Sequence, residues 1–250
     1  MKKHYLKMND ITLGLLNQKP AAERYRHYSK DGLDDYERDV YLKIMELIPE
    51  GSRVLDVGCG TGNLASLIQE RRKATVIGVE PDPKQAAIAK LSGLNVHISE
   101  FDMAKEENLG KFDIILFADV IEHLVSPGLS LQKAKSLLKP GGAVIASIPN
   151  VAHWGVRLNL LCGKFEYQSC GLMDATHLRW FTRKTVERLF NKTGFNIESI
   201  TYTVGSWLPV YSRRPWKWFG GKFKERTIQI LVKFFPNLFG CQFIVKGRKL

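Results

Sequence analysis

The chain has 250 residues, 44% of them hydrophobic and 25% charged, the balance of a globular fold with a sizeable core. No run approaches the roughly 20 uninterrupted apolar residues of a membrane-spanning helix. The N-terminal "MKKHYLKMNDITLGLL" has neither the apolar core nor the cleavage site of a secretory leader, so a cytoplasmic protein is expected. The formal net charge of +12 is uneven: from Ser206 onward ten Lys and Arg face one Glu, which suits anionic partners or a solvated basic face.

In chain order, residues 1–33 read as an N-terminal arm or lid, and 34–250 as one domain. "RVLDVG" is a short β-branched strand that stops at glycines, and "NLASLIQERR" after it has helical spacing. "ATVIGVE" is a second strand, "PKQAAIAKLSG" a helix closed by Gly93, and "LNVHIS" a third strand. "KFDIILFADV" is a fourth, "LSLQKAKSLLKPGG" a helix ending in a Pro-Gly stop, and "AVIASIPN" a fifth. Nearly continuous apolar strands alternating with helices predict a parallel sheet covered on both faces.

Beyond Asn150 the alternation breaks. An insertion at about 150–180 carries a short helix, and "TRKTVERLFNKTG" is then a helix with Thr182 as N-cap and Gly194 as its stop. "FNIESITYTV" is a sixth strand. A second insertion, about 205–238, holds the basic aromatic "WLPVYSRRPWKWFGGKFKE". It continues into "RTIQILVKFF", with Ile228, Leu231, Val232 and Phe235 on one helical face before Pro236. "CQFIVKG" is the last strand. Cys59, Cys162, Cys170 and Cys241 form no CxxC pair and have no His at ligand spacing; they read as free, mostly buried thiols, and no metal site is expected.

"VLDVGCGTGNLA" joins the first strand to the first helix, and Gly58, Gly60 and Gly62 allow a tight turn and close approach to a ligand. A GxGxG loop alone is weak evidence, because dinucleotide-binding folds share it. Asp56 at the strand end would repel a pyrophosphate but attract an ammonium or sulfonium group. Glu80 in "GVEPD" can take both ribose hydroxyls, and Asp102 in "SEFDM" can accept from an exocyclic amine. A nicotinamide dehydrogenase would show GxGxxG without Asp56.

On "DVGCGTG", "VEPD", "FDIILFADVIEHL" and "LLKPGGAVIASIPN", the chain resembles the class I S-adenosylmethionine-dependent methyltransferases from about Val54 to Pro149. The resemblance implies a Rossmann-like α/β fold: a seven-stranded, mostly parallel sheet with the last strand antiparallel, and substrate-side insertions after strands five and six. It also implies that the loop of Gly58, Cys59, Gly60 and Gly62 holds the methionine part of S-adenosylmethionine, with Asp56 nearby. Glu80 and Pro81 would lie at the ribose, Asp102 and Met103 at the adenine, and Asp119 and Val120 at the sulfonium side. S-Adenosylhomocysteine would be the product.

For the acceptor, an [N/D/S]PP[Y/F] run of amine methylation is missing after strand four, and no Pro-Cys of base methylation is present. A hydroxyl acceptor needs a proton acceptor, for which histidine has the nearest ordinary pKa. His123 lies in an "EHL" segment similar to the ubiquinone-biosynthesis-like branch. His177 in "DATHLRWFT" has Asp174 to orient it and Arg179 to hold an anionic acceptor. That segment and "SIPNVAHWGVRLNLLCGKFEY" resemble methyltransferases among bacterial surface-glycan enzymes. His153, Trp154 and Arg157, together with Trp207, are further candidate substrate contacts.

The expectation is therefore O-methylation of a small-molecule or sugar- or lipid-linked glycan acceptor, catalysed by His177, His123 and Asp174. Peripheral contact with the inner membrane surface through the basic aromatic C-terminal segment is also expected. Alternatives are an RNA methyltransferase that uses the basic C-terminal region, and a non-catalytic cofactor-binding partner protein. Nucleic acid ranks below a lipid-facing or lid role, and the oligomeric state stays open.

Overall fold

A computed structural model describes residues 35–249, so the expected arm at 1–33 lies outside the described residues. The central sheet contains β1 (Arg53–Val57), β2 (Thr75–Glu80), β3 (Asn95–Ile98), β4 (Phe112–Ala118), β5 (Leu138–Pro149), β6 (Phe195–Tyr202) and β7 (Gln242–Lys249). Their spatial order is β3-β2-β1-β4-β5-β7-β6. All pairings from β3 to β5 are parallel, and β7 runs antiparallel to both its neighbours. This is the expected seven-stranded Rossmann-like sheet.

Successive residues of a strand point to opposite faces, so unbroken apolar runs build two cores. Leu55, Ile115, Phe117 and Val144 lie in one, beneath α5 (Pro127–Leu137) and α7 (Arg183–Lys192). Val54, Ile114, Leu116 and Ile145 lie in the other, with α1 (Asp35–Glu46), α2 (Asn63–Arg72) and α3 (Pro83–Leu91). A short α4 (Glu106–Leu109) precedes β4. Local signals set the helix ends. Asp82 caps α3 by accepting from Lys84 N at 2.8 Å, ahead of Pro83. Thr182 and Thr185 cap α7 reciprocally, and Gly194 after it has φ 81°.

The first insertion contains α6 (Trp154–Leu161), and the second contains α8 (Gly221–Phe234) and α9 (Pro236–Phe239). The two share a third apolar cluster, in which Val156, Leu172 and Met173 of the first meet Leu208, Tyr211, Ile228 and Val232 of the second. They therefore form one cap over the carboxyl ends of the strands. Its root is fixed by polar bonds: Asn150 Nδ2 donates to Gly240 O at 2.8 Å, and Asp39 of α1 accepts from Val204 N and Gly205 N at 2.7 Å each.

Two expectations need correction. Phe235, placed on the buried face of the helix, is 58% exposed. Its backbone (φ −130°, ψ 58°) leaves the helix one residue before Pro236, turning the ring away from the line of Ile228 and Val232. Of the four free cysteines, Cys59 and Cys241 are buried, while Cys162 is exposed and Cys170 partly so. Among the described residues, no helix is long and apolar enough to cross a membrane.

Candidate active site

Strand order reverses between β1 and β4, where open α/β sheets leave a crevice at the carboxyl ends of the strands. The glycine loop sits there. Gly58, Gly60 and Gly62 have φ of 68°, 55° and 83°, values that disfavour any side chain. A Cβ on Gly58 would stand 2.8 Å from Val120 Cγ2, so the loop and the β4 exit pack backbone to side chain. Glu80 ties the turn together, accepting from Gly60 N at 2.8 Å through one oxygen and from Asp82 N at 2.9 Å through the other. Remaining lone pairs on the same carboxylate can still accept from hydroxyls.

Asp56 is buried, and burial, reinforced by the charge of Glu80, pushes its pKa up to about 7. A cationic ligand is the natural relief for such a pair of carboxylates. Asp102 accepts from Ser130 Oγ at 2.8 and 3.0 Å, while Lys133 of α5 donates to the carbonyls of Phe101, Asp102 and Ala104. The Asp102 turn is thus held from α5, a support that sequence reading missed. Met103 is 76% exposed and Pro81 is exposed. Cys59 differs from expectation: its side chain is turned into the core against Gly78, where any Cβ would collide with the sulfur. Only its backbone is available to a ligand, and burial raises the thiol to about 12.

At the end of β4, Asp119 adopts φ 53°, a strained conformation for a non-glycine residue. Its carboxylate holds that shape by accepting from Ser147 Oγ of β5 at 2.7 Å and Gln242 Nε2 of β7 at 2.9 Å. Burial raises its pKa to about 6 against the lowering effect of the Ser147 bond and of His123. The following turn, Ile121–His123, carries Glu122, which sequence reading passed over. Glu122 is buried, and neither carboxylate oxygen has a hydrogen-bond partner among the described residues. Burial, then repulsion from Asp119, holds its pKa well above the usual range.

The loop Asp174–Arg179 closes on this turn. Leu178 N and Arg179 N donate to Glu122 O at 2.9 and 3.0 Å, and His123 Nδ1 lies 3.1 Å from Thr176 O. These bonds bring His177 Nε2 to 4.0 Å from Glu122 Oε1 and put the His123 and His177 rings 4.9 Å apart. Burial, then His123, lowers His177 to about 4, so its imidazole is neutral at pH 7. Glu122, His123 and His177 each present a ligand atom within 4.8 Å of the others, a spacing that could hold a metal ion. No metal ligands were expected from the sequence, because Glu122 and His123 are separated from His177 by the whole of α5, β5 and α6.

Other candidates occupy structural positions. Asp174 does not orient His177; its Oδ1 accepts from Thr176 N at 2.8 Å and Thr176 Oγ1 at 2.6 Å, making the turn that carries the histidine. Arg179 donates to Val125 O at 2.8 Å and to Leu178 O at 3.1 Å, pinning the loop rather than standing open as an anion clamp. His153 is buried as the cap of α6, its Nδ1 accepting from Gly155 N and its Nε2 3.2 Å from Tyr211 OH. Trp154 donates to the same Tyr211 hydroxyl at 3.0 Å, Arg157 to Ala152 O at 2.6 Å, and Trp207 packs edge-on against Tyr36. The structure therefore brings His123 and His177 together with Glu122, leaves His153, Trp154 and Trp207 in the packing of the cap, and leaves Arg157 exposed on α6.

Comparison with known proteins places the fold and the family. A family model described as a methyltransferase domain matches residues 25–200. The ubiquinone biosynthesis O-methyltransferases of Nitrobacter winogradskyi and Bradyrhizobium diazoefficiens are 35% identical over 153 residues and 38% over 141. The matched parts cover 59% and 55% of this chain and 58% and 51% of those proteins, so the chain spans about half the length of the curated relatives it matches. The fold is shared with magnesium protoporphyrin IX methyltransferase from Synechocystis with bound S-adenosylhomocysteine (TM-score 0.56, 15% identity, 89% of this chain and 91% of that one). It is also shared with Haemonchus contortus phosphoethanolamine N-methyltransferase 2 in complex with S-adenosylmethionine (TM-score 0.56, 16% identity, 86% and 52%). With a methyltransferase domain matched across the glycine loop, the β4 exit and the Asp174–Arg179 loop, the chain belongs to the class I S-adenosylmethionine-dependent methyltransferases.

Proposed function

We propose that this enzyme methylates a hydroxyl oxygen of a small or lipid- or sugar-linked acceptor, activated at the Glu122–His123–His177 cluster. The observation that carries the reading is the buried, unpartnered Glu122 carboxylate facing a neutral His177 at the exit of β4. The cofactor supplies an electrophilic methyl group on positively charged sulfur. Asp56 and the glycine loop hold its cationic end, Glu80 its hydroxyls, and the Asp102 turn its base. What the chain must add is an oriented oxygen and a destination for its proton.

Two routes lead there. His177 can accept the proton through a free imidazole nitrogen while Glu122 stabilises the resulting cation. Alternatively, Glu122, His123 and His177 would hold a divalent cation, which would supply Lewis acidity toward the acceptor hydroxyl. The second route is favoured by the lowered pKa of His177, about 4, which makes it a weak base at neutral pH, and by carboxylate oxygens that lack any donor. Support for an oxygen acceptor comes also from relatives named O-methyltransferases. The test is product analysis with a panel of phenols, sugar hydroxyls and amines plus S-adenosylmethionine. Methylated oxygens that disappear in Glu122→Gln support the reading; methylated amines would overturn it.

A further inference from the structure

Helix α8 is apolar on two opposite faces. Ile228 and Val232 are buried in the cluster that joins the two insertions. On the other side Phe223, Ile230 and Phe234 are 61%, 48% and 68% exposed. Seven and eleven residues of helix are close to two and three whole turns, at about 3.6 residues each, so positions 223, 230 and 234 fall on one line. Apolar side chains aligned on a solvent-facing stripe are not explained by the core, which the first face already serves.

The stripe continues beyond the helix. Phe219 stacks obliquely on Phe223 at 5.4 Å, and Trp218, 70% exposed, lies under the guanidinium of Arg214 at 5.4 Å. Cations line one flank. Helical spacing places Lys222, Arg226 and Lys233 side by side along the edge of the stripe, and all three are exposed. Glu225, the helix's single acid, falls farther round toward the buried side. An outward apolar stripe beside a row of Lys and Arg has the composition of a helix that lies in a lipid–water interface.

We propose that α8, with the preceding Trp216–Trp218 turn, docks the cap onto an anionic lipid bilayer. Phe223, Ile230, Phe234, Phe219 and Trp218 enter the acyl boundary, and Lys222, Arg226 and Lys233 meet headgroup phosphates. Charge complementarity selects the occupant. A second copy of this chain would oppose like charges along the same edge, whereas anionic headgroups neutralise them. RNA would answer the cations but leave the aliphatic Ile230 without a partner.

The surface is independent of the proposed acceptor chemistry, and its test needs no turnover. The full chain is sedimented with phosphatidylcholine vesicles containing none or about a quarter phosphatidylglycerol. Binding is expected only to the anionic vesicles, and to fall at least about tenfold at high salt. Phe223→Ser with Phe234→Ser, and separately Lys222→Glu with Lys233→Glu, should each reduce it by about tenfold or more. Because these side chains are exposed, thermal unfolding of both variants should match the parent. Equal binding by parent and variants overturns the proposal, as does absence of vesicle binding, whether or not the chain then binds RNA. A dimer that dissociates on Phe223→Ser, with no vesicle binding, overturns it in favour of self-association.

Discussion

His177 Nε2 stands 4.0 Å from Glu122 Oε1, and both groups are buried without satisfying each other. A direct hydrogen bond would be about 1 Å shorter. The gap is wide for two partners and suits two ligands that converge on a third atom. Glu122→Gln keeps the shape and removes the charge. It should lower kcat by about 100-fold or more while leaving S-adenosylmethionine affinity, measured by calorimetry, within about twofold. His177→Ala should behave alike, and a double variant should lose little more than either alone, because the residues act as a unit.

Chelation separates the two routes. Dialysis against a chelator should abolish turnover, and magnesium or manganese should restore it in the parent but not in Glu122→Gln. Turnover that survives exhaustive chelation would assign the proton to His177 directly. Calorimetric titration of the cation into the enzyme without acceptor gives a readout independent of activity.

Asp56 makes cofactor binding depend on pH. With its pKa raised to about 7 by burial and by Glu80, the folded chain keeps a proton that the unfolded chain loses at the ordinary carboxylate pKa of about 3.9. The associated stability is present at low pH and is lost as pH rises through about 7. A cationic ligand favours the charged form, so binding has the opposite trend: affinity should rise between pH 6 and 8, with proton release. Asp56→Asn should weaken binding about tenfold and flatten the profile; a parallel pH dependence in the variant would sink this assignment.

Gly78 is glycine because Cys59 lies over it. A Cβ at 78 would collide with the Cys59 sulfur and stand 3.2 Å from its Cβ. Gly78→Ala should cost about 1–3 kcal/mol in denaturant unfolding, and adding Cys59→Ala should recover more than half of it. If the two losses simply add, the contact is not the cause.

Most of the sheet could be read from the sequence because apolar strands, glycine stops and helix caps are local signals. Thr182 and Gly194 mark the ends of α7 by chemistry that acts within one turn. The active site was less legible. His123 and His177 were visible as histidines, yet their companion Glu122 looked like any acidic residue in a helix-like "IEHL". Its significance arises only when Leu178 and Arg179 bond to its carbonyl and bury its side chain. Asp174 and Arg179 are ambiguous in the sequence for the same reason: polar residues beside a histidine can face it or fold the loop that carries it. Here their partners are Thr176 and Val125. Phe235 failed because a pattern of periods does not show where a helix ends.

The bonds that Val204 N and Gly205 N donate to Asp39 tie the cap to a helix outside it. Those two amides lie where the chain leaves β6 for the second insertion, and the acid that holds them belongs to the helix before the first strand. One carboxylate of α1 thus anchors the start of the second insertion, in addition to the packing of α1 on the sheet. Loss of Asp39 would leave both amides without their acceptor and loosen the cap where it leaves the sheet.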